Sequence, residues 1–91
     1  MEKKQLLERM IRRRGLKKYH VSEAINCTRP TFNKLMNDTN LMNGHERNKI
    51  ALLLGIDVSI IDYIINNKEK EITQLSEAIL NLINPTTHDN N

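Results

Sequence analysis

The sequence predicts an all-α fold. Three observations carry that prediction. Apolar residues recur at helical spacing through most of the chain, glycine or a capping residue interrupts the pattern at each gap, and no stretch shows strand-like alternation despite the many isoleucines. In residues 2–14, Leu6, Leu7, Met10 and Ile11 share one face while Lys3, Lys4, Arg9, Arg12 and Arg13 cover the rest, which makes a first, amphipathic helix. Gly15 ends it, because glycine most cheaply adopts the left-handed conformation past a helix end, and Leu16 can fold back on the last turn. Residues 19–25 form a second, short helix with Val21 and Ile25 on one face. Asn26 breaks it; asparagine tolerates positive φ better than other non-glycine residues, so a tight turn is expected at Asn26 and Cys27.

Thr28 caps a third helix, residues 28–36. Pro30 sits in its first turn, where a missing N–H has no helical partner to lose, and Phe32 and Leu35 point inward. A polar loop, 37–40, follows. Asn43 and Glu46 have the spacing of a reciprocal cap and open a fourth helix that runs to Leu54 and stops at Gly55. Asp57 caps a fifth helix containing Val58, Ile60, Ile61, Ile64 and Ile65. From there Val58, Ile61, Ile65, Lys68, Ile72, Leu75, Ile79 and Leu82 advance by alternating steps of three and four, a heptad seam with one lysine in it. Two readings are open. The seam is a self-association helix with Ile65, Ile72, Leu75, Ile79 and Leu82 as dimer contacts, or a bend within 66–71 lets its second half cap the same core. The expected organisation is a domain over 1–67, a C-terminal helix over 68–84 as a candidate dimerisation element, and a disordered polar tail over 85–91, beginning at Pro85.

With 91 residues the chain is one domain, and with only Tyr19, Phe32 and Tyr63 as aromatics its core must be aliphatic. The longest apolar run, 50–54, is far below the roughly 18 residues of a membrane span. A charged N-terminus without an apolar secretory core leads to the expectation of a cytoplasmic protein. Cys27 has no cysteine to pair with, and His20, His45 and His88 are dispersed, so neither a disulfide, a metal site nor a cofactor is expected. An enzyme is not expected either: no glycine-rich phosphate loop, nucleophile–base spacing or carboxylate pair stands out. Charge is polarised. Residues 1–20 carry eight Lys/Arg against two Glu, whereas residues 50–91 carry two against six acids, so a polyanion would meet the first half. The run Arg12, Arg13, Arg14 is either a solvated face or a set of residues near phosphate.

The most informative segment is 18–37, KYHVSEAINCTRPTFNKLMN. Two short helices joined by a tight turn, with apolar Val21, Ile25, Cys27, Phe32 and Leu35 and a small Ser22, need a fixed close crossing, the helix-turn-helix pattern. Here the chain resembles the lambda-repressor-like family of Cro and phage-repressor type, from about Leu6 to Ile65 and including IALLLGID at 50–57. It departs from the family pattern with Asn26 for the turn glycine, Ser22 for alanine, Lys18 for glutamine, and Gly44 and Arg47 where apolar residues are usual, for which Leu41 and Met42 can substitute. The resemblance implies a five-helix helix-turn-helix domain plus a C-terminal helix. It also implies a sequence-specific, DNA-binding transcriptional regulator, a homodimer on double-stranded DNA with helix 28–36 in the major groove. Arg29, Pro30, Thr31, Asn33 and Lys34 would then contact bases, and Lys17, Lys18, Tyr19, Thr28, Asn37, Thr39 and Asn40 phosphates. The alternative is an antitoxin or other protein-interaction module on the same fold, docking a protein partner through 72–83.

Overall fold

The computed structural model describes residues 2–85; the expected disordered tail lies, from residue 86 onward, outside the described residues. The order is α1 (Lys3–Arg13), α2 (Lys18–Ala24), α3 (Arg29–Asn37), a 3₁₀ turn (Thr39–Leu41), α4 (Gly44–Leu54), α5 (Val58–Asn66) and α6 (Glu69–Asn81), with no strand among the described residues. The expected polar loop at 37–40 is shorter than anticipated: Asn37 closes α3 and the 3₁₀ turn takes the rest.

Three helices end by one device. Past α1, α2 and α4 stand Gly15 (φ 84°), Asn26 (φ 58°) and Gly55 (φ 71°). In each case the next amide reaches back to the carbonyl five residues earlier, Leu16 to Ile11, Cys27 to Ser22 and Ile56 to Ala51, all at 3.0 Å. Only Asn26 pays for a β-carbon in this conformation. Asn26→Gly is therefore expected to stabilise the fold by about 0.5 kcal/mol, read as a small rise in Tm; a fall would show that the asparagine side chain contributes to the turn.

The starts follow the sequence reading as well. Thr28 Oγ1 accepts the Thr31 amide at 3.3 Å, Asn43 and Glu46 exchange side-chain and backbone bonds at 2.8 Å each, and Asp57 Oδ1 accepts the Ser59 amide at 2.9 Å. That last bond holds the Asp57 carboxyl below its ordinary value. A depressed folded pKa adds stability above the unfolded value that is lost as pH falls towards the folded one. Asp57→Asn, which keeps an acceptor at the cap, is thus expected to flatten the acid limb of the stability–pH curve in the carboxylate range; an unchanged limb in paired melting curves would refute the contribution.

One core, aliphatic apart from Phe32 and the methionines, joins all six helices. The heptad seam is not one helix. Asn67 (φ −102°, ψ 163°) and Lys68 (φ −72°, ψ 149°) are extended, and they turn α6 back so that it packs against α1. The dimer contacts expected on that seam are corrected accordingly: Ile65, Ile72 and Ile79 are buried in the chain's own core and are not available to a second chain, while Leu75 and Leu82 are exposed. The C-terminal helix is likewise no appendage, since Ile72, Ile79, Leu80 and Ile83 all enter the core.

The basic residues of α1 and of its C-terminal cap, Arg14, have a structural use that their solvated appearance hides. Carbonyls at a helix C-terminus lack intrahelical donors and carry the negative end of the dipole. Lys3 Nζ donates to Ile65 O at the end of α5, and Arg14 Nε donates to Leu53 O at the end of α4 at 3.2 Å. Arg13 Nε donates to Ile83 O at 2.9 Å, and Arg14 Nη1 to Asn84 O at 2.8 Å, both just past α6. Arg47 does a similar job locally: it donates to Met42 O at 3.0 Å and pairs with Asp62 Oδ1 at 3.0 Å. Of the two residues expected to replace apolar positions 44 and 47, Met42 fills the core, but Leu41 stays exposed. A β-carbon on Gly44 would meet nothing within 4 Å, so no apolar side chain is needed there.

Candidate nucleic-acid interface

The positioning of α3 starts with a small residue. Ser22 is buried and its hydroxyl donates to Tyr19 O at 3.0 Å, which satisfies it without reaching across to α3. Val21, Ile25, Phe32 and Leu35 are buried on the facing sides of the two helices, and so is Met36, a core residue the sequence reading passed over, at the end of α3 nearer α1. Its spacing of four from Phe32 was the available signal.

With that face buried, the other face of α3 is open. Arg29, Pro30, Thr31, Asn33 and Lys34, the expected base contacts, are all exposed. The hydroxyls of Thr28 and Thr31 are bonded to each other at 3.0 Å, tying the cap to the first turn. A cleft of 320 Å³ between α2 and α3 brings Arg29 and Asn33 together with Lys18 and Tyr19. Lys17 is exposed beside it, and Lys18 Nζ pairs with Glu8 Oε2 on α1 at 2.6 Å.

His20 has a role that the sequence reading missed. Its Nδ1 accepts the Lys17 amide at 3.0 Å and so caps α2, and its ring lies tilted by 36° against that of Tyr19 with centroids 4.2 Å apart. The spacing of three from the N-cap was the signal.

The remaining expected phosphate contacts lie elsewhere. Asn37 and Asn40 are exposed in a separate groove at the C-terminal end of α3, which Glu2, Asp38 and Glu69 also line, so it is not uniformly cationic. Thr39 is a correction: the 3₁₀ turn buries it, leaving 5 % exposed, and a buried side chain does not reach a phosphate. Cys27 is half-buried in the turn; burial, and then the charge of Glu46, push its thiol up, away from the reactive thiolate. Among the described residues no three potential ligands gather into a metal site, and no helix is long and apolar enough to cross a membrane.

An exposed, cation-bearing third helix, held at a fixed angle by a second helix and a left-handed turn, is a surface for a duplex groove. A family model for the Cro/C1-type HTH DNA-binding domain matches residues 6–64. No curated protein and no solved structure matches the chain. The matched stretch is well over half of the 91 residues and spans α2, the turn and α3 entire. The chain belongs to the Cro/C1-type helix-turn-helix DNA-binding family.

Proposed function

We propose that the chain is a sequence-specific transcriptional regulator that binds double-stranded DNA as a homodimer with α3 in the major groove. The observation that carries this reading is Arg29. A cation in the first turn of a helix faces the positive end of the dipole, and the Arg29 guanidinium is exposed there without a hydrogen bond or ion pair to any described residue. An external acceptor such as guanine O6 and N7 accounts for it. Pro30, Thr31, Asn33 and Lys34 complete the base-reading edge, and Lys17, Lys18, Tyr19 and Thr28 the phosphate-binding one, with Asn37 at the far end of the helix and Asn40 beyond it.

The test is selection of bound duplexes from a randomised pool by the purified protein at about 150 mM salt. Enrichment of an inverted repeat with half-sites about 34–36 Å apart supports a dimeric regulator. A pool that emerges unenriched overturns the reading. A second reading, an antitoxin or other protein-interaction module, draws on Leu75 of α6 and Leu82 at its C-terminal cap, seven residues apart and 41 % and 50 % exposed. It predicts a stable complex with a protein partner that Leu75→Lys abolishes.

A further inference from the structure

We infer that Arg12 and Lys17 form a phosphate seat on the flank of α1, so that the backbone of a bound duplex runs past the helix-turn-helix unit and across the first helix. This rests on the duplex-binding reading above and adds a contact outside the two helices that define it.

The three consecutive arginines at the end of α1 have separate fates. Arg13 and Arg14 are spent on carbonyls of other helices. Arg12 is exposed, and its guanidinium makes no hydrogen bond or ion pair with any described residue. It lines a cleft of 390 Å³ with Glu8, Ile11, Leu16, Lys17 and Lys18. Lys18 also lines the α2–α3 cleft that holds Arg29 and Asn33, so the two clefts meet at this one residue.

Charge within this second cleft decides what fits it. Its one carboxylate, Glu8, is 22 % exposed and is taken up by Lys18 at 2.6 Å. Arg12 and Lys17 remain uncompensated side by side, one a planar fork and the other a point charge, and both suit phosphate oxygens. Further along α1, Arg9 pairs with Glu77 of α6 at 3.8 Å; Arg12 lines the groove that holds this acid as well, but its guanidinium makes no pair with it. The cationic track therefore leads from Arg29 past Lys18 to Lys17 and Arg12, where it ends against the groove that Arg12 shares with Glu77, the acid that Arg9 takes up. A duplex seated on α3 is a rigid polyanion with phosphates at regular intervals, and this is the direction in which the protein meets it with positive charge.

Neutralising one phosphate contributes about 0.9 to the slope of log K against log salt. The full-length protein and its Arg12→Ala and Arg9→Ala variants would be titrated with a mixed-sequence duplex over a range of salt, each variant's helicity being checked by circular dichroism. Arg12→Ala is expected to flatten the slope by about 0.9 while Arg9→Ala, the same charge change on the same helix, leaves it alone. Arg12→Gln, which keeps the length of the side chain, should repeat the Arg12→Ala result. An unchanged slope in both Arg12 variants overturns the seat, as does an equal flattening in the Arg9 variant, which would mark a diffuse charge effect. If the unaltered protein bound no duplex, the reading beneath the inference would fail, and the inference with it.

Discussion

A chain cut after Asn67 is expected to lose its cooperative fold. The cut removes α6 and with it Ile72, Ile79, Leu80 and Ile83, none more than 6 % exposed. Burying each such side chain fully contributes about 1.5–3 kcal/mol, and a domain of this size has a net stability of only about 5–15 kcal/mol. Truncation also strips partners from α1: the Lys3 amide loses Glu69 Oε2 at 3.2 Å, and Arg13 and Arg14 lose the carbonyls of Ile83 and Asn84. What remains is an α1 whose α6-facing apolar side is exposed to water. Thermal melting followed by circular dichroism tests this. The shortened chain should melt without a sigmoidal transition, or at a Tm tens of degrees lower. A sharp transition near that of the full chain would make 1–67 an autonomous domain and α6 a separable element. The family match ends at residue 64, before α6 begins, yet the core it describes is closed by this later helix.

Which features were legible in the sequence follows from how local their causes are. Gly15, Asn26 and Gly55 end helices, and Thr28, Asn43 with Glu46, and Asp57 begin them, through bonds spanning two to five residues; the residue type alone implies the geometry. The helix-turn-helix unit was legible for the same reason. The seam from Val58 to Leu82 was not, because its spacing of three and four is identical whether the helix continues or breaks. Neither Asn67 nor Lys68 is a strong breaker, and the extended backbone there is offset by the burial of Ile72 and Ile79 on α1, a long-range effect. Arg13 and Arg14 are a sharper case. Their acceptors lie 39 to 70 residues away, so nothing near them in sequence separates them from Arg12, which has none. Thr39 misled by its company, since a threonine between Asp38 and Asn40 reads as solvated until the 3₁₀ turn folds it inward.

Arg29→Ala is expected to separate recognition from folding. Losing a bidentate contact to guanine costs about 1–3 kcal/mol of discrimination, or roughly 5- to 150-fold in affinity for the selected sequence. Binding to a scrambled duplex of equal length should fall far less, because that affinity comes from the phosphates. Stability should move the other way. The substitution removes a positive charge from the positive end of α3, where an exposed cation costs about 0.3–1 kcal/mol, and it breaks no bond to a described residue. The helix start is unaffected, since Pro30 and the Thr28 cap remain. Side-by-side titration of selected and scrambled duplexes, with a melting curve for each protein, reads all three quantities. Equal losses on both duplexes would assign Arg29 to the backbone and pass base readout to Asn33 and Lys34. A lowered Tm would mean that Arg29 supports the fold, and its exposed place in the first turn would then need a partner within the chain to explain it.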